Sequence, residues 1–168
     1  MHGGGDMEAE VEISAIVNGS SVRARVPVRQ SLVDFLREGL ELTGSHVGCE
    51  HGVCGACTVR LEGEIVRGCL ILAAQIDGQS VETIEGASES GELAELQTAF
   101  HERNALQCGY CTPGVLLTAA ALLRDNPAPT RGEIRAYLSG NYCRCTGYHA
   151  IVDAIETVAK ARSGGASR

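Results

Sequence analysis

Eight cysteines stand in two groups of four. The first is Cys49, Cys54, Cys57 and, after eleven intervening residues, Cys69. C-x4-C-x2-C with a distant fourth Cys is a [2Fe–2S] ligand spacing. Three thiolates must converge within one short loop, and the loop must also aim backbone N–H groups at sulfur atoms that carry negative charge. Gly48, Gly52 and Gly55 allow the tight, partly positive-φ turns that such an approach requires. The second group is Cys108, Cys111, Cys143 and Cys145. Two close pairs on two loops between helices can close a four-thiolate site, and the N-terminal end of the helix after Cys111 favours an anionic group. Two such sites in one chain predict one-electron transfer.

Other chemistry at these thiols has to be weighed. Zinc is the main rival, because four thiolates also suit a tetrahedral ion. A C-x4-C-x2-C loop that supplies three ligands is poor zinc geometry, however, and C-x-C is uncommon in zinc sites. Disulfides rank lower in a chain of 168 residues that the sequence places in a reducing compartment. A Rieske centre needs two His ligands. His51 offers one, but Arg60 stands three residues after Cys57, where the second would be wanted. The five histidines (His2, His46, His51, His101, His149) form no cluster and read as surface residues. Glu85, Glu89, Glu92 and Glu95 read as a solvated helix start. The sequence holds no Ser–His–Asp arrangement, no P-loop and no glycine fingerprint after a strand.

The elements that must position these cysteines follow from hydrophobic periodicity. Val11, Ile13, Ala15 and Val17 alternate as a strand, Asn18-Gly19 suits a two-residue hairpin turn, and Val22, Ala24 and Val26 alternate on the return. Ser31 caps a helix that presents Leu32, Phe35 and Leu36 on one face. Val59 and Leu61 form a strand, Glu62-Gly63-Glu64 turns it, and Ile65 begins its return. Residues 80–84 read as one more strand. Beyond Glu85 the pattern becomes helical. Leu93, Leu96 and Phe100 mark the first helix, and Thr112-Pro113 opens a second that is apolar on nearly every face and therefore buried. Asn126-Pro127 ends that helix. Thr130 and Glu133 make a capping box for a third, and Ile151, Ile155, Val158 and Ala159 define a fourth.

The expected fold class is α+β. The expected domains are a disordered leader over 1–9 (Met1 or Met7 is the start), a cluster-binding β domain over 10–84, a four-helix cluster-binding domain over 85–162, and a flexible tail over 163–168. Hydrophobic residues make up 44% of the chain and aromatics only 4%, so the core is aliphatic. A net charge of −7 argues against nucleic-acid binding. The longest apolar run, residues 115–123, falls well short of the roughly 20 residues that span a bilayer. With no secretory signal in residues 1–10, the expectation is a cytoplasmic protein without membrane insertion.

Three segments carry a wider resemblance. They are Gly48-Cys49-Glu50-His51-Gly52-Val53-Cys54-Gly55-Ala56-Cys57-Thr58, Gln107-Cys108-Gly109-Tyr110-Cys111-Thr112-Pro113-Gly114 and Asn141-Tyr142-Cys143-Arg144-Cys145-Thr146-Gly147-Tyr148. In this order and spacing the chain resembles, over about residues 11–160, the small iron–sulfur subunit of the xanthine dehydrogenase family, the molybdenum hydroxylases. The resemblance implies a plant-type ferredoxin-like β-grasp domain followed by a four-helix bundle, with Cys49, Cys54, Cys57 and Cys69 holding an outer [2Fe–2S] cluster nearer a flavin. It implies that Cys108, Cys111, Cys143 and Cys145 hold the cluster nearest the molybdenum, with Gln107 and Cys145 touching the molybdopterin cofactor. It further implies partners: a large molybdenum-cofactor subunit that oxidises substrate and a medium FAD subunit, as a dimer of heterotrimers. The chain would then be a non-catalytic redox subunit. Outside the resemblance, Gln107 reads as a helix-end polar residue satisfied by backbone. A free-standing ferredoxin-like electron carrier and a structural zinc-binding interaction protein are the rival functions.

Overall fold

The computed structural model describes residues 9–165. Residues 1–8 of the leader expected over 1–9, with its two candidate starts, and the tail end over 166–168 lie outside the described residues.

The first half builds a mixed sheet. Strands β1 (Glu10–Val17) and β2 (Ser20–Pro27) form the hairpin expected from Asn18-Gly19, whose φ values of 50° and 77° are those of a turn that matches strand twist. A short helix α1 (Leu32–Asp34) continues as a π-helical turn over Phe35–Gly39. Ser31 caps it as expected, accepting from the Asp34 N–H at 3.2 Å. The first cysteine loop follows. Strands β3 (Thr58–Leu61) and β4 (Glu64–Arg67) then pair through a turn at Glu62-Gly63. A 3-10 turn (Ala73–Ile76) leads to β5 (Ser80–Glu82). Among the described residues the sheet has five strands in the order β2-β1-β5-β3-β4, with β1 and β5 parallel and the other neighbours antiparallel. Leu32, Leu36, Val59 and Ile76 are fully buried beneath it.

The second half is helical: α2 (Ile84–Glu89), α3 (Ala94–Glu102), α4 (Thr112–Asp125), α5 (Arg131–Tyr137) and α6 (His149–Gly165). Four of these are the expected helices. The short α2 is not: residues 80–84 were expected to be extended, but the strand stops at Glu82 and the chain turns helical at Ile84. Helix α6 also runs on through Gly165, so residues 163–165 are helical and not tail. Helix α4 is the central element. All ten residues 114–123 are buried, and each buried leucine contributes roughly 1.5–3 kcal/mol. The Thr130–Glu133 capping box forms as expected, with both reciprocal bonds present. Leu93, Leu96, Phe100, Leu117, Ile134, Ile151 and Ile155 close this second core.

The two halves are locked by a group that periodicity does not reveal. Arg60 on β3 has only 8% of its side chain exposed. Its Nη1 donates to Glu82 at 2.6 Å and to Glu92 at 2.7 Å, and its Nη2 donates to the other Glu92 oxygen at 2.7 Å. The expectation of a solvated glutamate row is therefore corrected. Glu92 ties the helical half to the sheet, Glu85 accepts from the Gly44 N–H at 2.8 Å and the Thr83 hydroxyl at 2.6 Å, and Glu95 pairs with Arg162 at 2.7 Å. The Arg60 guanidinium beside Glu92 holds that carboxyl below the usual glutamate range. This stabilisation is present above the ordinary glutamate pKa and is lost as pH falls through the depressed folded value. Removing one partner of a fully buried ion pair costs about 3–5 kcal/mol. Both carboxylates here keep a wetted edge, so Arg60→Ala is expected to cost about 2–3 kcal/mol in urea denaturation, with the loss shrinking at acid pH. An unchanged urea midpoint would show that the lock carries no stability.

Candidate metal centres

Cys49, Cys54 and Cys57 lie on the loop between the π-helical turn and β3, and Cys69 follows β4. The loop is irregular, so its shape comes from hydrogen bonds. Arg37 Nη1 donates to the Thr43 and Ser45 carbonyls at 2.6 and 2.8 Å, and the His46 N–H reaches the Ala56 carbonyl at 3.1 Å. Cys69 is brought in by the Gly68 N–H, which donates to the Cys57 carbonyl at 3.0 Å. Backbone donors turn toward sulfur as the spacing predicts. The His51 N–H, and then that of Cys54 at 3.4 Å, hold the Cys49 thiol down at about 6. Burial pushes Cys54 up. Burial, with Cys69 alongside, pushes Cys57 up to about 11.

Cys108 and Cys111 precede α4, and Cys143 and Cys145 precede α6. Burial, with Cys143 alongside, pushes Cys111 up to about 12. Burial also raises Cys143, but the Thr146 hydroxyl at 3.1 Å and the N–H groups of Thr146 and Cys145 outweigh it and leave Cys143 lowered. Of the two, Cys143 therefore gives up its proton more readily than Cys111. The Tyr148 hydroxyl accepts from the Cys143 N–H at 2.8 Å and fixes the loop from below.

Among the described residues no three His, Cys, Asp or Glu side chains crowd one ion position. The thiols meet two by two: Cys49 with Cys54, Cys57 with Cys69, Cys108 with Cys145, and Cys111 with Cys143. The Cys108 and Cys145 sulfurs are 3.5 Å apart. Two thiolates at about 2.3 Å from one tetrahedral metal stand about 3.7 Å apart. The Cys108–Cys145 pair is therefore spaced to offer two corners to one metal, and two pairs per group suit a diiron cluster. The donor set is all sulfur, with N–H and O–H groups directed at it.

The two groups abut. The Tyr142 N–H donates to the Cys54 carbonyl at 2.8 Å, so one hydrogen bond joins a residue of the first group to the neighbour of Cys143. Asn141 Nδ2 donates to the Gly55 carbonyl at 3.3 Å. A small hollow of about 160 Å³ lies between Cys54 and the second group. Gln107 is exposed beside the exposed Cys108 and makes no hydrogen bond among the described residues, so the reading of it as satisfied by backbone is not met. Thr146 and Tyr148 were missed as site residues. Their place directly after Cys145 was the available signal.

Comparison with known proteins agrees with this geometry. Residues 15–82 match the 2Fe-2S iron-sulfur cluster binding domain, and residues 83–156 match the [2Fe-2S] binding domain. The chain is 51% identical over 149 residues to the caffeine dehydrogenase subunit gamma of Pseudomonas sp. (strain CBB1), across 87% of this chain and 89% of that one. It is 53% identical over 145 residues to the nicotine 6-hydroxylase small subunit of Paenarthrobacter nicotinovorans, across 86% and 87%. Among solved structures, quinoline 2-oxidoreductase from Pseudomonas putida 86 superposes with a TM-score of 0.86 at 49% identity, over 93% of this chain and 98% of that chain. With two cluster-binding domains in series and this likeness along nearly its whole length, the chain belongs to the small iron–sulfur subunits of the molybdenum hydroxylase, or xanthine dehydrogenase, family.

Proposed function

We propose that this chain relays single electrons from a large molybdenum-cofactor subunit to a medium FAD subunit, through two [2Fe–2S] clusters. The observation that carries the reading is the junction of two four-thiol groups through the Tyr142 N–H and the Cys54 carbonyl. A relay needs a short junction and two reachable edges. The Cys108–Cys145 edge is exposed beside Gln107, and the Cys49–Cys69 side is partly exposed beside Val53 and Leu70.

In this reading Cys49, Cys54, Cys57 and Cys69 hold the outer cluster, and Cys108, Cys111, Cys143 and Cys145 hold the inner one. Each cluster, when bound, accepts one electron at a time and so divides a two-electron oxidation into single steps. The chain's own residues bind through thiolates and direct N–H and O–H groups at sulfur. Gln107 and Cys145 contact the molybdopterin. Substrate oxidation belongs to the partner, and the names of the relatives (caffeine, nicotine, quinoline) favour an N-heteroaromatic substrate for the assembly. We read residues 10–84 as a β-grasp domain and 85–162 as a four-helix bundle with α2 as a lead-in, in a cytoplasmic dimer of heterotrimers. Leu70 and Tyr142, 59% and 57% exposed beside the two groups, favour a docked subunit over a free-standing carrier.

Anaerobically prepared chain is expected to hold about four iron and about four sulfide, two of each per cluster. Two electron paramagnetic resonance signals should appear on reduction, one lost in Cys54→Ala and the other in Cys111→Ala; loss of both signals in either variant, or zinc in place of iron, contradicts the assignment. Thr146→Val removes a donor to Cys143 that stabilises the more negative, reduced state. It should lower the potential of the inner cluster by about 20–60 mV, corresponding to about 0.5–1.4 kcal/mol, and leave the outer one unchanged in a redox titration.

A further inference from the structure

Two residues outside both cysteine sets tie the loops together. His46 lies three residues before Cys49, and Tyr110 lies directly before Cys111. Their rings stack with centroids 4.5 Å apart and planes inclined by 17°. His46 Nδ1 meets the Tyr110 carbonyl at 2.8 Å. A carbonyl only accepts, so Nδ1 carries the proton. The Tyr110 hydroxyl donates in turn to the Val47 carbonyl at 2.7 Å. Each side chain therefore grips the other loop's backbone. His46 is itself anchored from behind, through its N–H on the Ala56 carbonyl and through Arg37 on the Ser45 carbonyl.

The arrangement is more than filling. Tyr110 is 47% exposed, yet both its ring face and its hydroxyl are engaged. The loops it joins are rich in glycine: Gly44 and Gly48 flank His46, and Gly109, at φ 82°, precedes Tyr110. Such loops are pliable unless held. The loop of Cys143 and Cys145 is held against the first group elsewhere, by the Tyr142 N–H on the Cys54 carbonyl and by Asn141 Nδ2 on the Gly55 carbonyl, whereas His46 and Tyr110 hold the loop of Cys108 and Cys111. Attachment of both cysteine loops of the second group fixes separation and tilt together.

Resting on the two-cluster reading above, we infer that His46 and Tyr110 are a pair of positioning residues. They set the separation and orientation of the two four-thiol groups, and with them the coupling between the two clusters, without being ligands themselves. Electron exchange across the junction depends on them; assembly of each cluster does not.

The test is made on the full chain with both clusters loaded, in three variants. His46→Ala removes the ring and its donor. His46→Asn keeps a donor at the place of Nδ1. Tyr110→Phe keeps the ring stack and loses only the bond to Val47. Each should match the wild type in iron content and in the signal of either cluster reduced alone. With both clusters reduced, the magnetic splitting between them should collapse in His46→Ala, shrink in Tyr110→Phe and return toward wild type in His46→Asn. Electron exchange between the clusters after flash reduction should slow severalfold in the same order. Wild-type splitting in a fully loaded His46→Ala chain overturns the inference and leaves the two-cluster reading standing. Should His46→Ala lose iron, Tyr110→Phe decides, and unchanged splitting and exchange there also overturn it. A wild-type chain with a single iron signal defeats the two-cluster reading, and the positioning role falls with it.

Discussion

Backbone meets backbone where the two halves of the chain join. A Cβ at Gly114 would lie 2.2 Å from the Gly55 carbonyl oxygen, and a Cβ at Gly55 would lie 2.3 Å from that of Gly140. A side chain at Gly114 would push the first cysteine loop away from α4, and one at Gly55 would push that loop away from Gly140 and Asn141. Gly55 also needs its φ of 75° to turn between Cys54 and Cys57. This approach puts the Cys54 carbonyl within reach of the Tyr142 N–H. The rest of the interface surrounds that contact: Arg67 donates to the Gly140 carbonyl at 2.9 Å, Arg60 clamps Glu92, and Asn18 accepts from the Thr83 N–H at 2.8 Å.

Gathering eight thiols at one junction raises an electrostatic problem, and the fold solves it unevenly. Cys57 is buried and Cys111 half-buried, and they are held up to about 11 and about 12, so in the metal-free chain they stay protonated at neutral pH. Cys49 is held down at about 6 by N–H donors and supplies negative charge, and N–H and O–H donors also lower Cys143. A metal that binds all four thiolates of a group must displace the protons of the buried ones, so its affinity falls as the solution becomes more acidic. The exposed edges at Cys108 and Cys145 are where another chain can approach.

Local features of the fold were legible in the sequence, and long-range ones were not. Asn18-Gly19, the Thr130–Glu133 capping box and the all-round apolar α4 are written in neighbouring residues, and they form as expected. The cysteine spacing foretold loops that direct backbone donors at sulfur, as those of His51 and Cys54 do at Cys49. Arg60 was noticed only as a residue that is not histidine. Its role depends on Glu92, which lies 32 residues away, and no periodicity carries that information. Helix α2 was missed because strand-like Ser80-Val81 runs into it without a glycine or proline to mark the change. The pairing of Cys57 with Cys69 and of Cys111 with Cys143 likewise needs the folded chain.

The central claim is that each group of four thiols holds a pair of irons, two thiols to each. Iron-edge X-ray absorption on anaerobically prepared chain tests it most directly. The account predicts iron in an all-sulfur shell with a second iron as its nearest metal neighbour, and the same spectrum at half the amplitude in Cys111→Ala. Iron without a metal neighbour, or zinc occupying the sulfur sites, would contradict it.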